Sequence, residues 1–137
     1  MRLFILCFSF FMSFNVFAHS YHSKEERGVF FIKPLNGEIV SNPIKVIFGA
    51  TGIDIVPAGV DLPMSGHHHL LINVDKLPNL KLPIPADSNH LHFGGGQTET
   101  EIDLPPGKHT LQLLLGNHLH IPHSQPLISN KIEITVE

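Results

Sequence analysis

Residues 66–72 read Gly-His-His-His-Leu-Leu-Ile, three consecutive histidines that continue directly into an apolar segment. Successive side chains of an extended strand point to opposite faces. A strand over residues 67–74 would therefore place His68 on the same face as the apolar side chains at the even-numbered positions, and we expect this to be the core face. His67 and His69 would then share the outer, solvent-exposed face.

Two further histidine groups use the same spacing of two residues. Side chains at i and i+2 of a strand share a face, with Cα atoms about 6–7 Å apart, and neutral imidazole is a common ligand of copper and zinc. We therefore predict that clustered imidazoles bind a metal ion. The alternative is a polar network in which the imidazoles bond to backbone and carboxylate groups. The candidate metal ligands are His67, His69, His90, His92, His118, His120 and His123.

Other side chains could support such a site. Asp87 and Glu99 are the acids closest in sequence to the His90 group, and each could bind the ion or orient an imidazole through its second nitrogen. The competing interpretation is that both are solvated surface acids. Met64 could offer a thioether to Cu(I). Because an all-histidine or histidine-carboxylate site without thiolates suits Cu(II) or Zn(II) better than Cu(I), the predicted cofactor is copper or zinc.

The rest of the sequence is typical of an all-β protein. Short apolar runs alternate with clusters of proline, glycine and asparagine, and no sustained 3.6-residue periodicity follows the first 18 residues. The pattern predicts an antiparallel immunoglobulin-like β-sandwich of about seven strands, with a small β-barrel as the alternative. We expect residues 53–66 to form a loop. The predicted strands cover residues 29–32, 44–48, 67–74, 98–104, 108–115 and 130–136, with residues 90–93 as a short strand or strand-like loop.

The first residues resemble a secretory signal peptide. Arg2 precedes an apolar run, and Val16-Phe17-Ala18 offers a cleavage site, so residues 1–18 are predicted to be removed. We expect residues 19–27 to be a flexible leader and residues 28–137 a single histidine-rich domain. The predicted location is periplasmic or secreted. An uncleaved anchor is disfavoured because spanning a bilayer takes about 20 apolar residues.

Export would also change the chemistry that the chain offers. Cys7 is the only cysteine, and its removal would leave neither disulfides nor thiolate ligands. Cleavage after Ala18 would expose His19, whose amine and imidazole together chelate Cu(II). The formal net charge of −3 gives no reason to expect a nucleic acid partner. The sequence has no Gly-x-Ser-x-Gly elbow, phosphate-binding loop or His-Glu-x-x-His motif.

Several blocks together resemble a known family. They are Gly-His-His-His-Leu-Leu-Ile at 66–72, Pro-Ile-Pro-Ala-Asp at 83–87, His-Leu-His-Phe-Gly at 90–94, Gly-Gln-Thr-Glu-Thr at 96–100 and Pro-Pro-Gly-Lys-His-Thr-Leu-Gln-Leu at 105–113, with Pro-Ala-Gly at 57–59 and Asn-His-Leu-His-Ile-Pro-His at 117–123. This pattern resembles the bacterial exported family called domain of unknown function 4399, over roughly residues 28–137. The resemblance implies a small secreted or periplasmic β-domain and no established activity.

Three functional interpretations follow from the residues. The first is a non-enzymatic periplasmic protein that binds copper or zinc for storage, delivery or buffering, with the metal ion as its partner. The second is a structural or interaction module whose histidine-rich end binds another envelope protein or a glycan. The third is a metal-dependent enzyme, which would need an open coordination position and a nearby general base.

Overall fold

A computed structural model describes residues 26–137 of the chain. The predicted signal peptide lies outside the described residues, as does most of the predicted leader. Within residues 26–137, no helix is long and apolar enough to cross a membrane. The strands of this part are β1 (Gly28–Lys33), β2 (Ile39–Val40), β3 (Ile44–Thr51), β4 (Asp54–Ile55), β5 (Ser65–Ile72), β6 (His90–His92), β7 (Glu99–Ile102), β8 (Gly107–Gly116) and β9 (Ile132–Val136).

These strands form two sheets. The smaller sheet has the order β1-β3-β7, and the larger has the order β2-β9-β8-β5-β4, with β6 paired to β5. The long strands pair antiparallel, whereas the two-residue strands β2 and β4 pair parallel with β9 and β5. The two-sheet arrangement confirms the predicted all-β sandwich. It also corrects the prediction of a loop over residues 53–66, because β4 and the first residues of β5 lie within that range.

The main core lies between the two sheets. Phe48 of β3 belongs to this core together with the inward side chains of β5, β8 and β9, among them Leu70, Leu113 and Ile134, which are fully buried. Complete burial of one such aliphatic side chain stabilises the fold by about 1.5–3 kcal/mol. His68 lies on this face as predicted, and its ring centre is 5.0 Å from that of Phe48.

The other face of the larger sheet is also covered. Leu71 of β5 and Leu114 of β8 form a second buried cluster with Ile84, and Val74 and Ile128 pack against it. These covering residues come from the connections that follow β5 and β8. Every residue of β5 is therefore buried, although the strand pairs largely antiparallel. Such two-sided burial explains why β5 is almost continuously apolar after its histidines.

One sequence prediction about this face was wrong. His67 and His69 do lie on one face, opposite His68, and their ring centres are 4.9 Å apart. That face is not exposed, because both side chains have 0% of their surface accessible to solvent. Alternation along a strand assigns side chains to faces, but it does not show which loops will cover the outer face.

Candidate metal centre

Strand pairing brings the first three histidines of the site together. His67 and His69 point to the same side of β5. β6 pairs antiparallel with β5 in a register that places His92 opposite His69. His92 is exposed at the edge of the sheet, and its ring centre is 5.1 Å from that of His69. The pairing therefore places an exposed imidazole beside two buried ones.

The fourth histidine comes from the turn that follows β8. The backbone N–H of His120 donates to the carbonyl of Asn117 (2.8 Å). The Asn117 side-chain oxygen accepts hydrogen bonds from the N–H groups of Leu119 (2.9 Å) and Ile121 (3.1 Å). His120 itself has a φ of 65°, a left-handed conformation that is uncommon outside glycine. Among residues 26–137, Met64 and Asn73 also have a positive φ, and His120 is the one of the three that a turn presents to the other histidines.

The four-histidine cluster, as we call it here, consists of His67, His69, His92 and His120, whose rings are mutually close. The six distances between their ring centres run from 4.7 to 6.0 Å. Ligand nitrogens of His67, His92 and His120 lie within 4.8 Å of one another, and these three residues could hold a metal ion. His69 is outside that group of three, although its ring adjoins the other rings.

The buried members of the cluster have unsatisfied nitrogens. Neither Nδ1 nor Nε2 of His67 or of His69 has a hydrogen-bond partner among residues 26–137. A buried polar group without a partner costs about 1–3 kcal/mol. Both ring nitrogens of His68, on the opposite face of the strand, also lack a partner. What distinguishes His67 and His69 is that their unpartnered rings adjoin two further imidazoles, those of His92 and His120. The polar-network interpretation would require bonds that these two rings do not make with the described residues.

Burial also keeps these imidazoles neutral. Desolvation, reinforced by the neighbouring histidines, lowers the pKa of His67 to about 4 and that of His69 to about 3. Desolvation lowers the pKa of His92 as well, with a further contribution from His120. Because a metal ion binds the unprotonated ring, lower pKa values reduce competition from protons at neutral pH.

A glycine makes room for the cluster at the end of β8. A Cβ atom on Gly116 would lie 2.8 Å from Cε1 of His69 and 3.2 Å from the Cα of His120. Both contacts would be shorter than ordinary van der Waals separations. No role was predicted from the sequence for Gly116 or for Asn117. The signal available for Asn117 was its turn-forming side chain directly before His118.

The other three candidate ligands lie apart from this group, each with its own partner. Nδ1 of His90 donates to Asp87 (2.8 Å), Nδ1 of His118 is 3.2 Å from an oxygen of Asp61, and Nε2 of His123 donates to the carbonyl of Ser65 (2.9 Å). The structure thus brings together one member of each downstream pair with both members of the first. Which of the seven histidines bind metal remains a prediction.

The non-histidine candidates also lie elsewhere. Glu99 pairs with Lys45 at the surface (2.6 Å), and the carboxylate of Asp87 is occupied by His90. Met64 is 40% exposed and lines a surface cavity of about 620 Å³ together with His123 and other residues. None of the four clustered histidines lines that cavity.

Comparison with known proteins gives a family and a fold. The family described as Domain of unknown function (DUF4399) matches residues 46–137. No curated protein matches the chain. Among solved structures, the chain is similar to the endo-beta-1,4-mannanase from Thermotoga petrophila, with 13% sequence identity and a TM-score of 0.50. That similarity covers 86% of this chain and 21% of the mannanase chain, and it concerns the fold alone.

Proposed function

This chain belongs to the DUF4399 family, a family without an assigned function, so its role has to be inferred from its own residues, and we propose that it is an exported metal-binding protein. Its ligands would be the four-histidine cluster, its ion copper or zinc, and its role storage, delivery or buffering. The observation that carries the proposal is the pair of buried, unpartnered imidazoles of His67 and His69, which adjoin two further imidazoles.

A bound ion would supply a partner for one of the two unpartnered nitrogens of each buried ring. Each ring can give one nitrogen to the ion, which replaces an unsatisfied buried acceptor by a coordinate bond. The free energy of metal binding would then add to the free energy of unfolding of the domain. The contacts and burial of the histidines support this proposal.

The position of the cluster supports a carrier or buffer more than an enzyme. His92 is exposed and His120 is half-buried, so one side of the site opens to solvent and would allow an ion to enter and leave. The group of potential ligands in residues 26–137 contains histidines only. A hydrolytic metalloenzyme would also need a general base close to the ion, a role usually filled by a carboxylate.

Export is part of the proposal because of the sequence before the domain. Arg2, the apolar run and Val16-Phe17-Ala18 support secretion to a compartment where cytosolic thiols do not compete for the ion. The mature chain would then contain no thiolate and would present imidazoles as its main donors for a transition metal. Intact-mass measurement of the natural protein should show a chain that begins at or near His19, and full-length protein in the cytoplasm would contradict export.

Metal analysis of protein purified without a histidine tag or nickel column tests the binding itself. We expect about one equivalent of bound ion, and we expect His92→Gln and His120→Gln each to weaken binding by at least about 100-fold. His90→Gln and His109→Gln are matched controls that should bind like the wild type. His90 is bonded to Asp87 and His109 to Pro105 and Asn73. No bound ion, or equal losses in all four variants, would contradict the proposal.

A further inference from the structure

The arrangement of the four rings carries information about the ion. The distances between ring centres are 4.9 Å for His67–His69, 5.0 Å for His67–His92, 4.9 Å for His67–His120, 5.1 Å for His69–His92, 6.0 Å for His69–His120 and 4.7 Å for His92–His120. Five of the six distances are therefore nearly equal. Four points with nearly equal mutual distances lie at the corners of a tetrahedron.

The size of this tetrahedron suits one ion. A metal–nitrogen bond of about 2.0–2.1 Å, with roughly 1.1 Å from nitrogen to ring centre, places each ring centre about 3.2 Å from the ion. A tetrahedral complex then has ring centres about 5.2 Å apart, close to the observed values. A square complex would instead need two opposite diagonals of about 6.4 Å and four sides of about 4.5 Å. If His69–His120 at 6.0 Å were one diagonal, the other would be His67–His92, which measures only 5.0 Å.

The cluster would resist flattening into a square. β5 is hydrogen-bonded to β8 along one side and to β4 and β6 along the other. Its side chains His67 and His69 are completely buried, and the backbone of Gly116 lies directly against the ring of His69. Large movements of β5 would break main-chain hydrogen bonds, and large movements of the ring of His69 would bring it into overlap with Gly116. Interiors of this packing density change shape at a cost in free energy.

The donor set narrows the choice of ion further. Every ring in the cluster is an imidazole, and the methionine nearest in sequence, Met64, lines a different cavity. Cu(I) is selected by thiolate and thioether donors, whereas Zn(II) accepts imidazole in tetrahedral geometry. Cu(II) accepts imidazole but prefers a square or tetragonal arrangement.

We propose that the four-histidine cluster is a tetrahedral cage that binds Zn(II) in the geometry that this ion prefers. Cu(II) bound in the cage would be held away from the square or tetragonal geometry that it prefers. This inference rests on the proposed function, since it presumes that the cluster binds a metal. Cu(II) normally binds a given nitrogen site more tightly than Zn(II). The cage would therefore reduce the difference in affinity between the two ions. Ligand nitrogens of His67, His92 and His120 already lie within 4.8 Å of one another. His69, at the 6.0 Å edge of the tetrahedron, would be the fourth ligand and would have to reorient its ring beside Gly116 to bind the same ion.

Cobalt substitution tests the geometry directly. Co(II) absorbs strongly in the visible range when its coordination is tetrahedral and only weakly when it is octahedral. We expect the full mature chain loaded with Co(II) to show the intense tetrahedral bands, and Zn(II) to displace them at one equivalent. Weak octahedral bands from a protein that does bind one equivalent of Co(II) would overturn the tetrahedral cage while leaving metal binding intact.

Competition between ions tests the selectivity, with His69→Gln as the informative variant. Removal of His69 leaves three imidazoles and an open position, so Cu(II) can recover its preferred geometry while Zn(II) loses a ligand. We expect the Cu(II)-to-Zn(II) affinity ratio to rise by about tenfold in His69→Gln relative to the wild type. His90→Gln should leave the ratio unchanged. An unchanged or lower ratio in His69→Gln would overturn the inference, and a wild type that binds neither ion would overturn the proposed function as well.

Discussion

The Nε2 atoms of His92 and His120 lie 3.1 Å apart, although 28 residues separate them along the chain. Two imidazole nitrogens at this distance either share one proton or bind a common ion. The ring centre of the buried His67 is 5.0 Å from that of His92 and 4.9 Å from that of His120. This contact between an edge strand and a turn therefore lies directly over the buried part of the cluster.

Replacing the buried histidines by leucine should separate stability from binding. His67→Leu or His69→Leu removes two unpartnered nitrogens from a fully buried position. We expect the metal-free protein to become more stable, by about 1–2 kcal/mol in free energy of unfolding, and metal affinity to fall by at least about 100-fold. Urea unfolding of chelator-treated protein and a metal titration measure the two effects. A destabilised metal-free variant would show that these imidazoles support the fold.

His68 offers the opposite behaviour from the same strand. Its side chain is fully buried and packs on Phe48 in the core between the sheets. His68→Ala should reduce the free energy of unfolding by about 2–4 kcal/mol, because it leaves a cavity, and should change metal affinity by less than about threefold. His68→Phe refills that space and removes two ring nitrogens that have no partner among residues 26–137, so its free energy of unfolding in urea should be at least that of the wild type. Metal affinity that falls in both variants would place His68 in the site.

Asn117 should act on binding through the position of His120. Its side-chain oxygen bonds two backbone N–H groups of the turn, those of Leu119 and Ile121. Asn117→Ala removes both bonds and should weaken metal binding by about tenfold, because the left-handed turn at His120 is then less populated. Asn117→Asp keeps an acceptor oxygen at the same position and should bind nearly as the wild type does. Equal losses in both variants, measured by metal titration, would argue against this role.

Acid should unfold the metal-free protein at mildly acidic pH. The pKa values of His67 and His68 are lowered to about 4 and that of His69 to about 3, mainly by desolvation. The unfolded chain binds protons on these residues below about pH 6.5, whereas the folded protein does not. The contribution to stability is therefore complete above about pH 6.5. It decreases as pH falls from there toward 4, by up to about 1.4 kcal/mol per pH unit for each histidine.

Urea unfolding of chelator-treated protein at several pH values between 7.5 and 4.5 measures this dependence. In His68→Phe the slope of unfolding free energy against pH should be shallower by the contribution of one histidine, up to about 1.4 kcal/mol per pH unit. Saturating Zn(II) should move the loss of stability to lower pH, because ion and protons compete for the same nitrogens. A free energy of unfolding that is flat across this range would contradict the lowered pKa values.

Local sequence pattern was sufficient for the long strands and for the faces of β5. The alternation of side chains separated His68 from His67 and His69 correctly, because the direction of successive side chains is a property of the extended backbone itself. The two-residue strands β2 and β4 were not predicted. They are too short to show any periodicity. β2 forms by parallel pairing with β9, which is distant in the chain, and β4 forms by parallel pairing with β5.

The composition of the cluster was decided by the tertiary structure. The spacing of two residues gave no reason to prefer His92 over His90 as a ligand. The β5–β6 register places His92 opposite His69, whereas His90 lies opposite Leu71, farther from His67. The spacing also gave no reason to prefer His120 over His118, although only the former is turned toward the cluster after β8. Sequence alone determined that these imidazoles come in pairs, because spacing along a strand is local. Which members meet depends on strand register and on a turn held by hydrogen bonds, and these long-range contacts form only when the sheet and the connections that cover it assemble.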